Sequence, residues 1–229
     1  MLQFHNPFPI LETKHRQTEC SSTDENITPF PNRLSKTDKS NFIKITGEYI
    51  ATYHRYDSSI GKRFNVGSVR SSAPIPSSCN MYYFEMTVLN AGENGAIGIG
   101  LTGKGSRLNA MPGWQKDTIG YHGDNGFVYY DYKISKTPME YGPTFGLGDV
   151  VGCGIDFDSN TVFFTRNGIS FGIAKTNLTK QPWYPTIGLH SLNEQVKINF
   201  GQEKFVFNVS KYAGIVNQER YYFSLPLPI

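Results

Sequence analysis

The chain has 229 residues, 38% hydrophobic and 14% aromatic, with 23 glycines, 13 prolines and a formal net charge of +3. That length holds one large all-β domain or two small ones, and the abundance of aromatics, glycine and proline favours strands and tight turns over helices. Basic and acidic residues are interspersed and no long apolar run occurs, so neither a nucleic-acid surface, an anionic-membrane surface nor a membrane span is indicated.

In chain order, residues 1–28 are polar and aperiodic and read as a mobile arm. Pro29-Phe30-Pro31 starts an extended edge. From Phe42 the strands begin, with Ile43 and Ile45, then Tyr49 to Tyr53, around the turn Thr46-Gly47-Glu48. A polar loop from His54 to Lys62 leads into Val66–Arg70. In MYYFEMTVL (81–89), Tyr82, Phe84, Met86 and Val88 alternate with Tyr83, Glu85 and Thr87, the period of a strand with one buried face. AIGIGL (96–101) enters a long loop that ends in Met111-Pro112-Gly113-Trp114. TIGYHG (118–123) and FVYYDY (127–132) pair across Asp124-Asn125-Gly126.

Residues 149–173, DVVGCGIDFDSNTVFFTRNGISFGI, are the most informative stretch. Three apolar strands flank the turns Asp158-Ser159-Asn160 and Asn167-Gly168, and Asn-Gly between apolar runs is a strong hairpin signal. YPTIGL (184–189) and EQVKINFG (194–201) close the series, and YYFSLPLPI ends it as a strap or a tail. About ten strands at regular spacing, with no repeat, predict one antiparallel β-sandwich with a core spanning about 43–207.

The chemistry-bearing patterns have plainer structural explanations. Gly98-Ile-Gly100-Leu-Thr-Gly103 fits the phosphate-binding glycine pattern, but that chemistry requires a helix directly after the glycines, and SRLNAMPGW cannot supply a long one. His5, His15, His54, His122 and His190 follow no metal-ligand spacing, and Cys20, Cys79 and Cys153 form no Cys-x-x-Cys, so no metal or cofactor is implied. The odd cysteine count suits a reducing compartment. With no basic-then-apolar leader, the expectation is a cytoplasmic protein that also reaches the nucleus. The sequons at Asn26, Asn177 and Asn208 carry no meaning there. Asp156 and Asp158 have a spacing that can serve a glycosidase, yet Asp158 is better explained as a turn former, and no nucleophile elbow exists. Trp183 reads as core and Trp114 as half core, half binding wall. Tyr53-His-Arg-Tyr-Asp57 has the aromatic and arginine content of an interface hot spot.

SVRSSAPIP (68–76), YYFEM (82–86), IGIGL (97–101), MPGW (111–114), IGYHGDNG (119–126), YGPTFGLGDVVGCGID (141–156), FFTRNG (163–168), YPTIGL (184–189) and INFGQEKFVF (198–207) together resemble, in this order, a SPRY domain, most similar to that of the Ran-binding-protein-M family. The resemblance covers about 30–212, so the expected organisation is an arm (1–28), a SPRY domain (29–212) and a tail or strap (213–229). It implies a bent two-sheet, concanavalin-like jelly roll that is not an enzyme and binds short peptide segments of protein partners through loops at one end. Carried over by position, the site draws on Tyr53, Arg55, Tyr56 and Asp57, on Leu108, Asn109 and Met111 with Trp114 at the base, on His122 and Asp124, and on His190 and Ser191. Relatives in that family continue into LisH and CTLH helical modules that build a ubiquitin-ligase assembly. With no helical pattern expected after Tyr212, this chain reads as an excised domain or a stand-alone one that competes with the full scaffolds. A lectin-like sandwich binding glycans is the alternative, since aromatic loops also stack on sugars.

Overall fold

The computed structural model describes residues 29–54 and 66–224, the last eight by backbone only. The expected arm 1–28, the loop residues 55–65 and the end 225–229 lie outside the described residues. Two seven-stranded antiparallel sheets pack face to face. The first runs β1 (Leu34–Lys39), β4 (Gly67–Ser71), β13 (Trp183–Leu189), β6 (Gly98–Gly103), β7 (Thr118–His122), β8 (Phe127–Tyr130) and β9 (Met139–Glu140). The second runs β12 (Ile169–Thr176), β11 (Thr161–Arg166), β10 (Val150–Asp156), β5 (Met81–Asn90), β14 (Gln195–Asn199), β3 (Ile50–Tyr53) and β2 (Ile43–Thr46). The β-sandwich expected from the sequence is thus the observed fold, with fourteen strands rather than about ten among the described residues.

Alternation builds the core. Tyr82, Phe84, Met86 and Val88 of β5 face Ile99, Leu101, Ile119, Tyr121 and Ile187 of the opposite sheet in one cluster. Cys153 sits between Phe84 and Phe164 by register and is a buried free thiol, packing as a small hydrophobe. Trp183 is core, as expected. Cys79 is disulfide-bonded, unlike the free thiols that the odd count suggests; separation in sequence does not report distance in space. The hairpin β11–β12 has Asn167 and Gly168 at φ 50° and 79°, the two left-handed residues that a type I′ turn requires.

Three features depart from the sequence reading. β1, LSKTDK, has no apolar alternation; it forms because Leu34 enters the core and the strand pairs with β4. The short helix α1 (Tyr132–Ser135) follows β8. Most consequential is α2 (Val209–Ser224), where no helical pattern was expected after Tyr212. It packs Val209, Tyr212 and Ala213, spaced i, i+3, i+4, on the outer face of the second sheet. That contact, rather than a strong apolar stripe in its sequence, holds the helix in place. β5 is accordingly buried on both faces: Met81 and Tyr83 join Phe163 and Phe207 in a second cluster under α2, where one buried face was expected.

Candidate recognition surface at one end of the sandwich

Pairing registers bring several loop ends together. Gly67 at the start of β4 faces Leu189 at the end of β13, Gly188 faces Gly98 at the start of β6, and Gly98 faces His122 at the end of β7. From the second sheet, Tyr53 at the end of β3 donates its N–H to Glu194 O (2.8 Å) in the β13–β14 loop. Tyr53, Asp124 and His190 therefore belong to one end of the sandwich, joined there by Leu108, whose carbonyl accepts from Ser68 N–H (2.8 Å).

The β13–β14 loop is rigid because Glu194, fully buried, organises it. Its carboxylate accepts from His190 N–H (2.5 Å) and from the Ser191 hydroxyl (2.6 Å). Burial raises its pKa and these donors pull it back. Ser191, expected at the far side of the site, is thus buried inside this network.

The loop after β6 holds Asn109, Met111 and Trp114, and no helix follows its glycines. Residues 104–117 lie as a plate over the outer face of the first sheet. A Cβ on Gly188 would meet Met111 Sδ at 2.6 Å, and one on Gly120 would collide with the Pro112 carbonyl. The glycines of TIGL and IGYHG are there to let the loop backbone approach the sheet. Met111 is accordingly a buried pad rather than a displayed contact.

His122 is 3% exposed and pins the plate. Its Nε2 lies 2.9 Å from Pro112 O; a carbonyl only accepts, so the proton sits on Nε2. Its ring stacks on Tyr129 with centroids 4.3 Å apart, and Trp114 lies 6.1 Å away. Desolvation lowers its pKa to about 4, against smaller opposing effects of Pro112 and Asp124. Trp114 is half-buried, and its indole Nε1 is buried with no partner among the described residues.

Of the expected site residues, Asn109 and Asp124 are exposed, and Leu108 and His190 are half-exposed. Tyr53 is buried and stacks on Phe42 with centroids 5.9 Å apart. Arg55, Tyr56 and Asp57 lie outside the described residues. Sequence reading missed the residues that fix the surface: Ser68, Arg70, Gln115 and Glu194. Arg70 had a legible signal, a lone guanidinium inside an otherwise uncharged strand. Its side chain is 2% exposed and pairs with Asp38 (2.9 Å) on β1.

Two seven-stranded antiparallel sheets, a glycine-floored plate and loops gathered at one end define the class of protein. The chain belongs to the SPRY-domain family, whose profile matches residues 81–203. Among its relatives, mouse Ran-binding protein 9 is 41% identical over 191 residues, 83% of this chain and 28% of that protein. A Drosophila melanogaster Ran-binding proteins 9/10 homolog is 42% identical over 188 residues, 82% of this chain and 19% of that protein. An Arabidopsis thaliana Ran-binding protein M homolog is 38% identical over 148 residues, 65% of this chain and 31% of that protein. The chain thus spans from 19% to 31% of the length of these relatives. A crystal structure of a human SPRY domain superposes with a TM-score of 0.61 at 29% identity, covering 72% of this chain and 99% of that one. The SPRY domain of human HERC1, at 16% identity and a TM-score of 0.60, shares the fold.

Proposed function

We propose that this protein is a non-enzymatic interaction module that binds short peptide segments of partner proteins through the loops at one end of the sandwich. The observation that carries the reading is the convergence there of Tyr53, Leu108, Asp124 and His190 on backbones fixed by the sheets and by buried Glu194. A surface held in this way limits the entropic cost of binding to ordering the peptide. An affinity of about micromolar, near −8 kcal/mol, is the expected scale. Membership of the SPRY family and likeness to the Ran-binding proteins support a protein rather than a small molecule as the ligand. On the same reading the bound partner is delivered as a substrate, with this chain as receptor or adaptor for a ubiquitin-ligase-type assembly.

The test is selection of random displayed peptides against the full chain. The doubly substituted Leu108→Asp, Asn109→Ala protein should lose binding to the selected peptides while its melting temperature stays within a few degrees of wild type. Retained binding would move the site elsewhere on the molecule.

A further inference from the structure

The segment from Ser106 to Ala110 runs alongside β4 without belonging to either sheet. Its alternate carbonyls are all held by two outward-facing residues of that strand. Arg70 Nη2 donates to Ser106 O, Ser68 N–H to Leu108 O (2.8 Å) and Ser68 Oγ to Ala110 O (2.6 Å). Arg70 is itself fixed by Thr102 Oγ1 (2.9 Å) on β6 and by Asp38 (2.9 Å) on β1, and Asp38 also pairs with Lys104 (3.1 Å). Arg107 is clamped a second time, from the other end of the loop. Gln115 Oε1 accepts its N–H (3.1 Å) and Gln115 Nε2 donates to its carbonyl (2.8 Å).

Both backbone groups of residue 107 are thus satisfied by one side chain, in a loop whose exposure would otherwise leave it mobile. The two residues between the captured carbonyls, Arg107 and Asn109, are exposed. They flank Leu108, whose carbonyl is the middle one of the three captured. Among the described residues Arg107 enters none of the ion pairs, whereas Arg33, Arg70 and Arg166 each have an acidic partner. A guanidinium on an immobilised backbone, with an amide beside it, matches a carboxylate flanked by a carbonyl or amide.

We propose that Arg107 is a specificity-determining residue of the recognition surface, that it and Asn109 read an Asp or Glu side chain of the bound peptide, and that Arg70 is the positioning residue that presents them. This inference rests on the peptide-binding reading above and adds the chemistry of the ligand. Arg70 acts only through the loop: it holds Ser106 while Ser68 holds Leu108 and Ala110.

The experiment selects displayed random peptides against the full chain at low salt and then measures the affinity of the leading synthetic peptide. Selected peptides should be enriched in Asp and Glu, and Arg107→Gln should weaken binding about tenfold or more with an unchanged melting temperature. Replacing the peptide's acidic residue by its amide should cost wild type a similar factor and cost Arg107→Gln little, as a double-mutant cycle for a direct contact requires. Arg70→Lys should speed amide exchange at residues 106–110 and weaken the same peptide, with Arg107 still present. Peptides without acidic bias, or equal affinity for Arg107→Gln and wild type, would overturn the inference and leave the peptide-binding reading standing. Selection of no peptide at all would overturn both.

Discussion

The two outer faces of this sandwich are covered in opposite ways. The first sheet presents glycines, small hydroxyl residues and a single buried arginine, and a backbone plate, residues 104–117, lies directly on them. The second sheet presents Tyr83, Phe163 and Glu85, and receives aromatic side chains from the segment after β14, followed by α2. There Phe207 lies 5.3 Å from Tyr83 between ring centroids, and Tyr212 lies 4.4 Å from Phe163. Glu85 is the polar anchor of this face. Its carboxylate accepts from Phe207 N–H (2.9 Å), Val206 N–H (3.1 Å) and Tyr83 OH (3.0 Å), and Tyr83 in turn accepts from the Thr165 hydroxyl (2.7 Å). Burial raises the pKa of Glu85, and the three donors oppose the rise. One face is therefore held mainly by hydrogen bonds to backbone carbonyls, the other mainly by apolar area. The hydrogen-bonded face carries the displayed residues of the candidate site, because a plate fixed at its backbone leaves its side chains free to point outward.

That contrast can be broken from either side. The largest effect is expected on the aromatic face: Phe163→Ala should cost about 3–5 kcal/mol in denaturant unfolding and reduce helical circular dichroism as α2 detaches. Retained helicity would show that the helix does not depend on the sheet. Next, the plate should respond to acid. The pKa of His122 is depressed when folded, so its contribution is complete above the unfolded value of 6.5 and is lost as pH falls toward about 4. That contribution is roughly 3 kcal/mol across the window, opposed in the total by Glu85 and Glu194, whose pKa values burial raises; His122→Gln should remove it from the profile, and an identical profile in the variant would remove His122 as the pin. Smaller again, Glu85→Ala should cost about 1–3 kcal/mol and speed amide exchange at Val206 and Phe207 while leaving residues 106–112 protected. Coupled exchange at both faces would deny their independence. The smallest effect is at the β11–β12 turn, where Gly168→Ala forces a Cβ into a left-handed conformation and should lower stability by about 1 kcal/mol without altering peptide binding.

Legibility in the sequence followed locality. The meander of β10, β11 and β12 could be read because Asn167-Gly168 and the stretch from Asp158 to Asn160 set their turns within a few residues. In the second of these the acceptor is Asp156, whose carboxylate takes the N–H of Asp158 (2.9 Å) and Ser159 (3.1 Å), so Asp156 fixes the turn in which the sequence places Asp158 as turn former. β1 and α2 were not legible, since neither carries its own period; each forms because a distant surface accepts it. The candidate site was legible as a set of loops, and the roles within it were not. His122, Met111 and Ser191 have the residue types of ligand contacts, and the structure buries all three. Arg107 looks like any surface arginine until the carbonyls at 106, 108 and 110 are seen to be captured.

Alternation, glycine placement and turn residues were sufficient by themselves to specify antiparallel strands packed as a β-sandwich, because strand periodicity and turn conformation are local properties of the chain. Which outer face receives a backbone plate and which a helix, and which loop residues are left displayed, was decided only when strands far apart in sequence came into register. Those outcomes depend on contacts such as Gly188 with Met111, Arg70 with Ser106 and Phe163 with Tyr212, whose partners share no sequence neighbourhood.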